Sequence, residues 1–344
     1  MIDIRTFSHT LIVIFGLVYL LVIGKDLLIP FAFAVLIWFI IKQIRVSLNR
    51  FRFIRDYFPE WIKNVTSLLI IIAVINFVIN IVYSNFKVLA ASLNGYNHKL
   101  DRLIHKANET LKIDVLQSLK VYYEDFDVNS MALSLFNYST SLMTTIFIVF
   151  VYVIFILLEE STFRGKLQKV LPKSENYDET FAMIKKIELS IAKYLGLKTM
   201  ISLVTSILSY IALWLIGVDF PVFWAFVIFL FNYIPIIGSY VATLTPVAFS
   251  LIQFESFTPP ILVFFTVGAI QMTIGNFIDP RIMGKNVNLS PLVIILSLSF
   301  WGAIWGVIGM FLSVPLMIML VITLSKIPRF RSVAILMSKS GNLD

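Results

Sequence analysis

The sequence predicts an all-α integral membrane protein with about eight membrane-embedded helical segments, the C-terminal ones broken or re-entrant, and a helical extracytoplasmic insert. Three observations carry that reading. Of the 344 residues, 59% are hydrophobic and only 14% charged, whereas a soluble domain carries about 45–50% apolar and about 25% charged residues. Part of the exterior must therefore face lipid. The apolar residues fall in runs near the length of about 20 residues that crosses a bilayer, and the charges collect between those runs.

The first run extends from Ser8 to Gly24 and is followed at once by a second, Leu27 to Ile41. No small-x-small cleavage site separates them, so the first reads as a retained span rather than a signal peptide. Pro30 falls in the first turn of the second span, where proline is tolerated. Between Lys42 and Lys63 six basic residues stand against two acidic ones. The third span covers Val65 to Phe86, with Asn76 and Asn80 on one face. A polar insert comes next, and its stretch from Lys87 to Asp127 balances six basic residues with six acids. The fourth span, Tyr138 to Leu158, stops at Glu159-Glu160, and a fifth runs from Thr199 to Gly217. Basic loops stay in the cytoplasm. The Lys42–Lys63 loop and the tail with Lys326, Arg329, Arg331 and Lys339 therefore lie inside, with both termini, and the neutral insert lies outside.

Two patterns in the polar regions have two readings each. Leu89, Leu93, Tyr96, Leu100, Leu103 and Ala107 repeat at heptad spacing, which suits packing on the protein's own membrane domain or self-association into a homo-oligomer. Phe181, Ile184, Ile187, Ile191 and Leu195 form a stripe beside Lys185, Lys186, Lys193 and Lys198. That helix can lie on the inner leaflet or pack against the rest of the chain.

Composition also excludes. The net charge of +8 reads as orientation signal rather than as a nucleic-acid surface. With no cysteine there is no disulfide, thiolate catalysis or Cys-based metal site. The three histidines, His9, His98 and His105, do not make a ligand set, so neither metal nor cofactor is expected. No Walker loop, His-Glu-x-x-His or nucleophile elbow occurs, and the chain is not expected to be an enzyme.

Residues 222–253 and 289–325 are longer than one crossing, yet neither has a polar loop to divide it. Helix breakers interrupt both. The first holds Asn232, Pro235, Gly238 and Pro246; the second holds Gly302, Gly306, Gly309 and Pro315. In hydrocarbon, a broken helix survives only where protein or a wet cavity satisfies the freed backbone. Paired Gly/Pro-interrupted segments mark the binding region of transporters. Each stretch fits either a kinked crossing or a hairpin, and hairpins are favoured because they leave the basic connector Asp279–Lys285 inside. The pair Gly302 and Gly306 also fits a close-packing face.

These residues give the chain its family likeness. Ile234-Pro235-Ile236-Ile237-Gly238 with Pro246, then Asp279-Pro280-Arg281-Ile282-Met283-Gly284, Val287, Leu289-Ser290-Pro291 and the trailing glycines with Pro315 resemble the autoinducer-2 exporter family of PerM-like transporters. Tyr194-Leu195-Gly196, Gly217 and Pro221 fit the same pattern. The N-terminal half matches in layout only. The resemblance implies a multi-pass transporter of the bacterial cytoplasmic membrane that exports a quorum-signal-like solute or exchanges sodium for protons. Family members often have Asn where this chain has Asp279. The added charge reads either as a local ion pair with Arg281 or as a cation-coupling carboxylate.

The acids of the spans, Asp26, Glu159, Glu160, Asp219, Glu255 and Asp279, all stand at segment ends. An antiporter with a titrating midplane carboxylate is therefore less well served than a carrier of a neutral solute. Asn232, Tyr233, Ser239, Thr243, Thr245, Gln271, Asn276 and Ser299 offer neutral hydrogen bonds, although Gln271 serves equally as glue between helices. The expected organisation is residues 1–86 as three spans with a basic loop, 87–137 as the insert, and 138–198 as span four with the amphipathic helix. Residues 199–325 form the transport core and 326–344 a basic tail. The expected solute or ion site comprises Asn232, Pro235, Gly238, Pro246, Gln271, Asn276, Asp279, Arg281, Gly284, Gly302, Gly306 and Pro315, with the two broken stretches across the site from each other. The expected partners are lipid, a small solute, and sodium or protons. The competing function is an envelope scaffold acting through 87–137.

Overall fold

The computed structural model describes residues 4–77, 79–81, 84, 99, 102, 128–170, 175–283 and 288–342. The heptad pattern at 89–107, His98, His105 and Gly284 lie outside the described residues. Among those described there is no strand. The helices are α1 (Ile4–Ile23), α2 (Lys25–Leu48), α3 (Arg52–Tyr57), α4 (Glu60–Ile81), α5 (Val128–Val170), α6 (Glu175–Ile216), α7 (Pro221–Phe231), α8 (Ile237–Phe254) and α9 (Thr258–Thr273). A π-helical turn, Ile274–Ile278, leads into α10 (Asp279–Met283), and α11 (Pro291–Lys326) and α12 (Arg331–Met337) complete the set. Six described helices are long and apolar enough to cross a membrane: α2, α4, the Asp178–Ile216 part of α6, α8, Thr258–Met283 and α11. With the shorter apolar α7, this is an all-α membrane protein.

The chain forms two compact units. One comprises Met1–Ser67, Met143–Leu195 and Asn286–Asp344; the other comprises Leu68–Leu142 and Gly196–Lys285. Helix α6 is continuous through the boundary, so the amphipathic segment and the fifth span are one helix rather than two elements. Of its stripe, Ile191 and Leu195 are buried in protein. This favours the packing reading over a helix lying free on the leaflet.

In the first unit, α11 consists of two helical arms that meet at Gly306, where the backbone is not helical. An unbroken helix would place residues sixteen positions apart about 24 Å away from each other. Yet the Ser297 hydroxyl donates to the Ser313 carbonyl at 3.1 Å, and a methyl on Gly309 would lie 1.9 Å from the Trp301 carbonyl oxygen. The chain doubles back at Gly306, whose φ of 64° and ψ of −145° belong to a region only glycine occupies freely. Residues 289–325 are therefore a helical hairpin. At its tip the Trp305 indole donates to the Leu21 carbonyl at 3.0 Å, which satisfies an acceptor in the last turn of α1.

The same unit gathers charges where four helices meet. Trp38, Lys42 and Arg45 repeat along one face of α2. Arg45 donates to Glu160 of α5 at 2.7 Å and to Asn64 of α4 at 2.9 Å, and the Trp38 indole donates to Glu160 at 3.0 Å. Lys42 donates to Glu188 of α6 at 2.7 Å and sits 4.4 Å from the Trp38 ring. Burial pushes the Glu160 carboxyl up, but the hydrogen bonds of Arg45 and Trp38 and the charges of Arg45 and Lys42 together outweigh it and hold the group below its ordinary value.

A depressed carboxyl stabilises the fold above its unfolded pKa, and that contribution is lost as pH falls through the folded value. Glu160→Gln should cost on the order of 2 kcal/mol at pH 7 in detergent unfolding. The gap to wild type should stay constant from about pH 8 to about pH 6 and close below the ordinary glutamate pKa.

Candidate functional site

The second unit holds the first broken stretch. Gly217, at φ 84°, ends α6, and Pro221 opens α7 at a position where its missing N–H costs nothing. The two ends of the stretch are tied together. The Gln253 amide donates to the Gly217 carbonyl at 2.9 Å and accepts from the Asp219 N–H at 2.8 Å. Trp224 lies 5.1 Å from Phe249 ring to ring, and Ile228 and Ala242 share the core with Leu213, Val218, Val263 and Val267. Helices α7 and α8 thus run antiparallel, and residues 222–253 are a hairpin.

Its tip, Asn232–Ile236, keeps its backbone bonded through tight turns such as Ile234 N–H to Phe231 carbonyl at 2.9 Å and Gly238 N–H to Ile234 carbonyl at 3.2 Å. Ile236 takes φ 63°, a strained setting for a β-branched residue. A methyl on Gly238 would lie 1.8 Å from the Phe231 carbonyl oxygen, so this position admits glycine alone without the arms parting.

The tip reaches the middle of α6. Tyr233 and Thr199 hydroxyls are 2.6 Å apart. Next to Thr199, Lys198 forms an ion pair with Asp279 at 2.7 Å, both side chains largely buried. This corrects the local pair expected between Asp279 and Arg281. Residues two apart on a helix point to different sides, and Arg281 is exposed. The π-helical turn at Ile274–Ile278 precedes Asp279; such turns re-aim the next residues of a helix and are frequent at functional sites.

Of the expected residues, Asn232, Pro235, Gly238, Pro246, Gln271, Asn276, Asp279 and Arg281 all fall in this unit. Asn232, Gly238, Pro246 and Gln271 are buried, whereas Asn276 is exposed on the π-helical turn. Gly302, Gly306 and Pro315 belong to the other unit. Lys198 and Thr199, which contact the expected Asp279 and the hairpin tip, are additions to the candidate site that the sequence does not signal, because a lysine before an apolar run reads as a membrane-surface charge. Lys42, Arg45 and Glu160 read in the sequence as orientation charges and a span end; the recurrence of Trp38, Lys42 and Arg45 on one helical face is the signal that could have found them.

The sequence model of the AI-2E family of transporters matches residues 10–329. The chain belongs to this family. It is 32% identical over 340 residues to the AI-2 transport protein TqsA of Escherichia coli K12, covering 95% of each chain. A putative transport protein of Haemophilus influenzae is 29% identical over 92% of this chain and 91% of its own. One from Borreliella burgdorferi is 34% identical over 61% and 58%, respectively. This family member is accordingly a multi-span membrane transporter, and its relatives are named as transport proteins rather than enzymes.

Breaking a buried ion pair on one side strands the other charge at a cost of about 3–5 kcal/mol, while removing both partners is often near neutral. Lys198→Met should therefore lower the unfolding temperature in detergent sharply, and Lys198→Met with Asp279→Leu should restore it. Arg281→Ala should leave it unchanged.

Proposed function

We propose that this transporter carries a small uncharged polar solute across the bacterial cytoplasmic membrane, both termini inside, by rearrangement of two hairpins that enter the bilayer from opposite faces. The observation carrying this reading is that the two hairpins share one construction. Pro221 and Pro291 each open a first arm at N1. Phe231 and Trp301 supply the carbonyl that Gly238 and Gly309 approach without a side chain. Ile236 and Gly306 turn the chain at φ 63° and 64°. The intervals from Pro221 to Pro291, Phe231 to Trp301 and Ile236 to Gly306 are identical.

With the basic loop and tail in the cytoplasm, the first hairpin has its base outside and the second has its base inside. Repeats of inverted topology built from interrupted helices are the construction of secondary transporters. An envelope scaffold acting through the insert has no need of it.

The charges favour a neutral cargo over cation exchange through a titrating carboxylate. Glu160 pairs with Arg45, Asp279 with Lys198, Glu255 with Arg102 and Glu159 with Lys166. Each of these acids stands at the end of an apolar segment and already has its counter-charge.

Flux in proteoliposomes tests the reading, with a panel of neutral and charged solutes and with and without sodium and pH gradients. Wild type should move a neutral solute. Gly238→Val and Gly306→Val should insert normally and lose flux by at least about tenfold, the first because its side chain collides with the Phe231 carbonyl and the second because valine cannot readily hold the φ of 64° and ψ of −145° at the turn. Undiminished flux in both variants, or transport confined to sodium against protons, would overturn it.

A further inference from the structure

The second unit has an apolar core at one level and a polar one at another. Along α6, Ser202, Ser206, Ser209 and Leu213 follow the spacing of one helical face, and all four are buried. Along α9 and the π-helical turn, Val263, Val267, Gln271 and Ile274 do the same. Leu213 shares one cluster with Val263 and Val267, so these two faces meet.

The Lys198–Asp279 pair fixes the level of the two antiparallel helices. Counting equal distances from it along each helix sets Gln271 opposite Ser206, one turn from Ser202 on one side and one turn from Ser209 on the other. The same count sets Leu213 opposite Val263 and Val267, where the apolar cluster places it.

Buried hydroxyls in helices ordinarily donate to a carbonyl of their own helix. Thr205, Ser206 and Thr243 do so, to Ile201, Leu203 and Ser239. Ser202 Oγ, Ser209 Oγ and Gln271 Nε2 have no such partner, although the two serines are 0% exposed and Gln271 7%. Groups of this kind are costly in a low-dielectric interior unless something bonds them, and three of them stand at neighbouring levels of two facing helices.

We propose that Ser202, Ser209 and Gln271 form a binding site for a small neutral polyol or sugar, a site that deepens, and rests on, the transport reading above. Two hydroxyls that donate and accept and one amide N–H that donates match a ligand bearing both hydroxyl and carbonyl or ether oxygens. Ser202 and Ser209 are roughly 10 Å apart along the axis, a reach that a chain of four to six carbons covers and one water does not. Neutrality is set by the charges. From Thr199 to Val218 and from Ser256 to Ile278 there is no Asp, Glu, Lys or Arg, and the Lys198 and Asp279 charges at the inner end neutralise each other. A charged ligand would find no counter-ion.

The test uses the full-length protein in detergent, titrated with erythritol, ribitol and D-ribose and, as the charged counterpart, D-ribonate. Wild type should bind at least one neutral probe saturably and not ribonate. Gln271→Met and Ser202→Ala with Ser209→Ala should each weaken that binding at least tenfold without lowering the unfolding temperature, because unpartnered polar groups are being removed. Lower unfolding temperatures in both variants would mean that the groups bond between helices, and would overturn the site. So would the absence of saturable binding of any neutral probe to wild type, which leaves ordered water alone as the occupant. If binding shows the expected pattern while wild-type liposomes show no flux, the site stands and the transport reading fails. If flux persists unchanged in both variants, the transport reading stands and the site falls.

Discussion

A backbone N–H or C=O freed inside a bilayer has no water to bond, and the architecture of this chain is shaped by how that constraint is met at two places. At the first, Asn232–Ile236, the chain turns through short-range bonds in which the N–H groups of Tyr233, Ile234, Ile237 and Gly238 reach the carbonyls of Leu230, Phe231, Pro235 and Ile234, so most of the turning backbone is bonded within the tip itself. At the second, Gly306 reverses the chain in one residue, and Trp305 closes the tip by donating to the last turn of α1. Both solutions need glycine where the returning arm meets the outgoing one. At Gly238 and Gly309 even one methyl would collide with a carbonyl oxygen.

Charge is disposed under the same constraint. The interior stretches of the described spans in the second unit hold neutral groups, and ion pairs stand at their ends, Lys198 with Asp279 at one and Arg102 with Glu255 at the other, where Lys99 also donates to the Gln253 carbonyl. In the first unit, Lys42, Arg45, Glu160 and Glu188 knit helices together where their apolar segments end. Pairing these charges lets them be largely buried without desolvating any of them alone. The ends of the spans are fixed electrostatically, while the hairpins between them are held by packing and turn geometry.

Much of this was legible in the sequence. Run length and composition give the membrane class, and the breakers at Pro235, Gly238, Gly306 and Gly309 mark both hairpins. What could not be read was which distant residues meet. Asp279 and Arg281 are neighbours in sequence, yet helical geometry separates them, and the partner is 81 positions away at Lys198. Ser202 and Ser209 look like ordinary hydroxyls of a span, since sequence does not tell which of them will lack a backbone carbonyl. The continuity of α6 was hidden because its polarity changes at Lys198 while its helix does not.

Two hairpins with their bases on opposite faces of the membrane are the central claim, and the absence of native cysteine allows a direct measurement. Single cysteines at Asp219, Ser256, Ser290 and Ser325 would be labelled with a membrane-impermeant maleimide from one face at a time. Asp219→Cys and Ser256→Cys should both react from outside, and Ser290→Cys and Ser325→Cys both from inside. Labelling of the two members of either pair from opposite faces would make that stretch a single kinked crossing and contradict the claim.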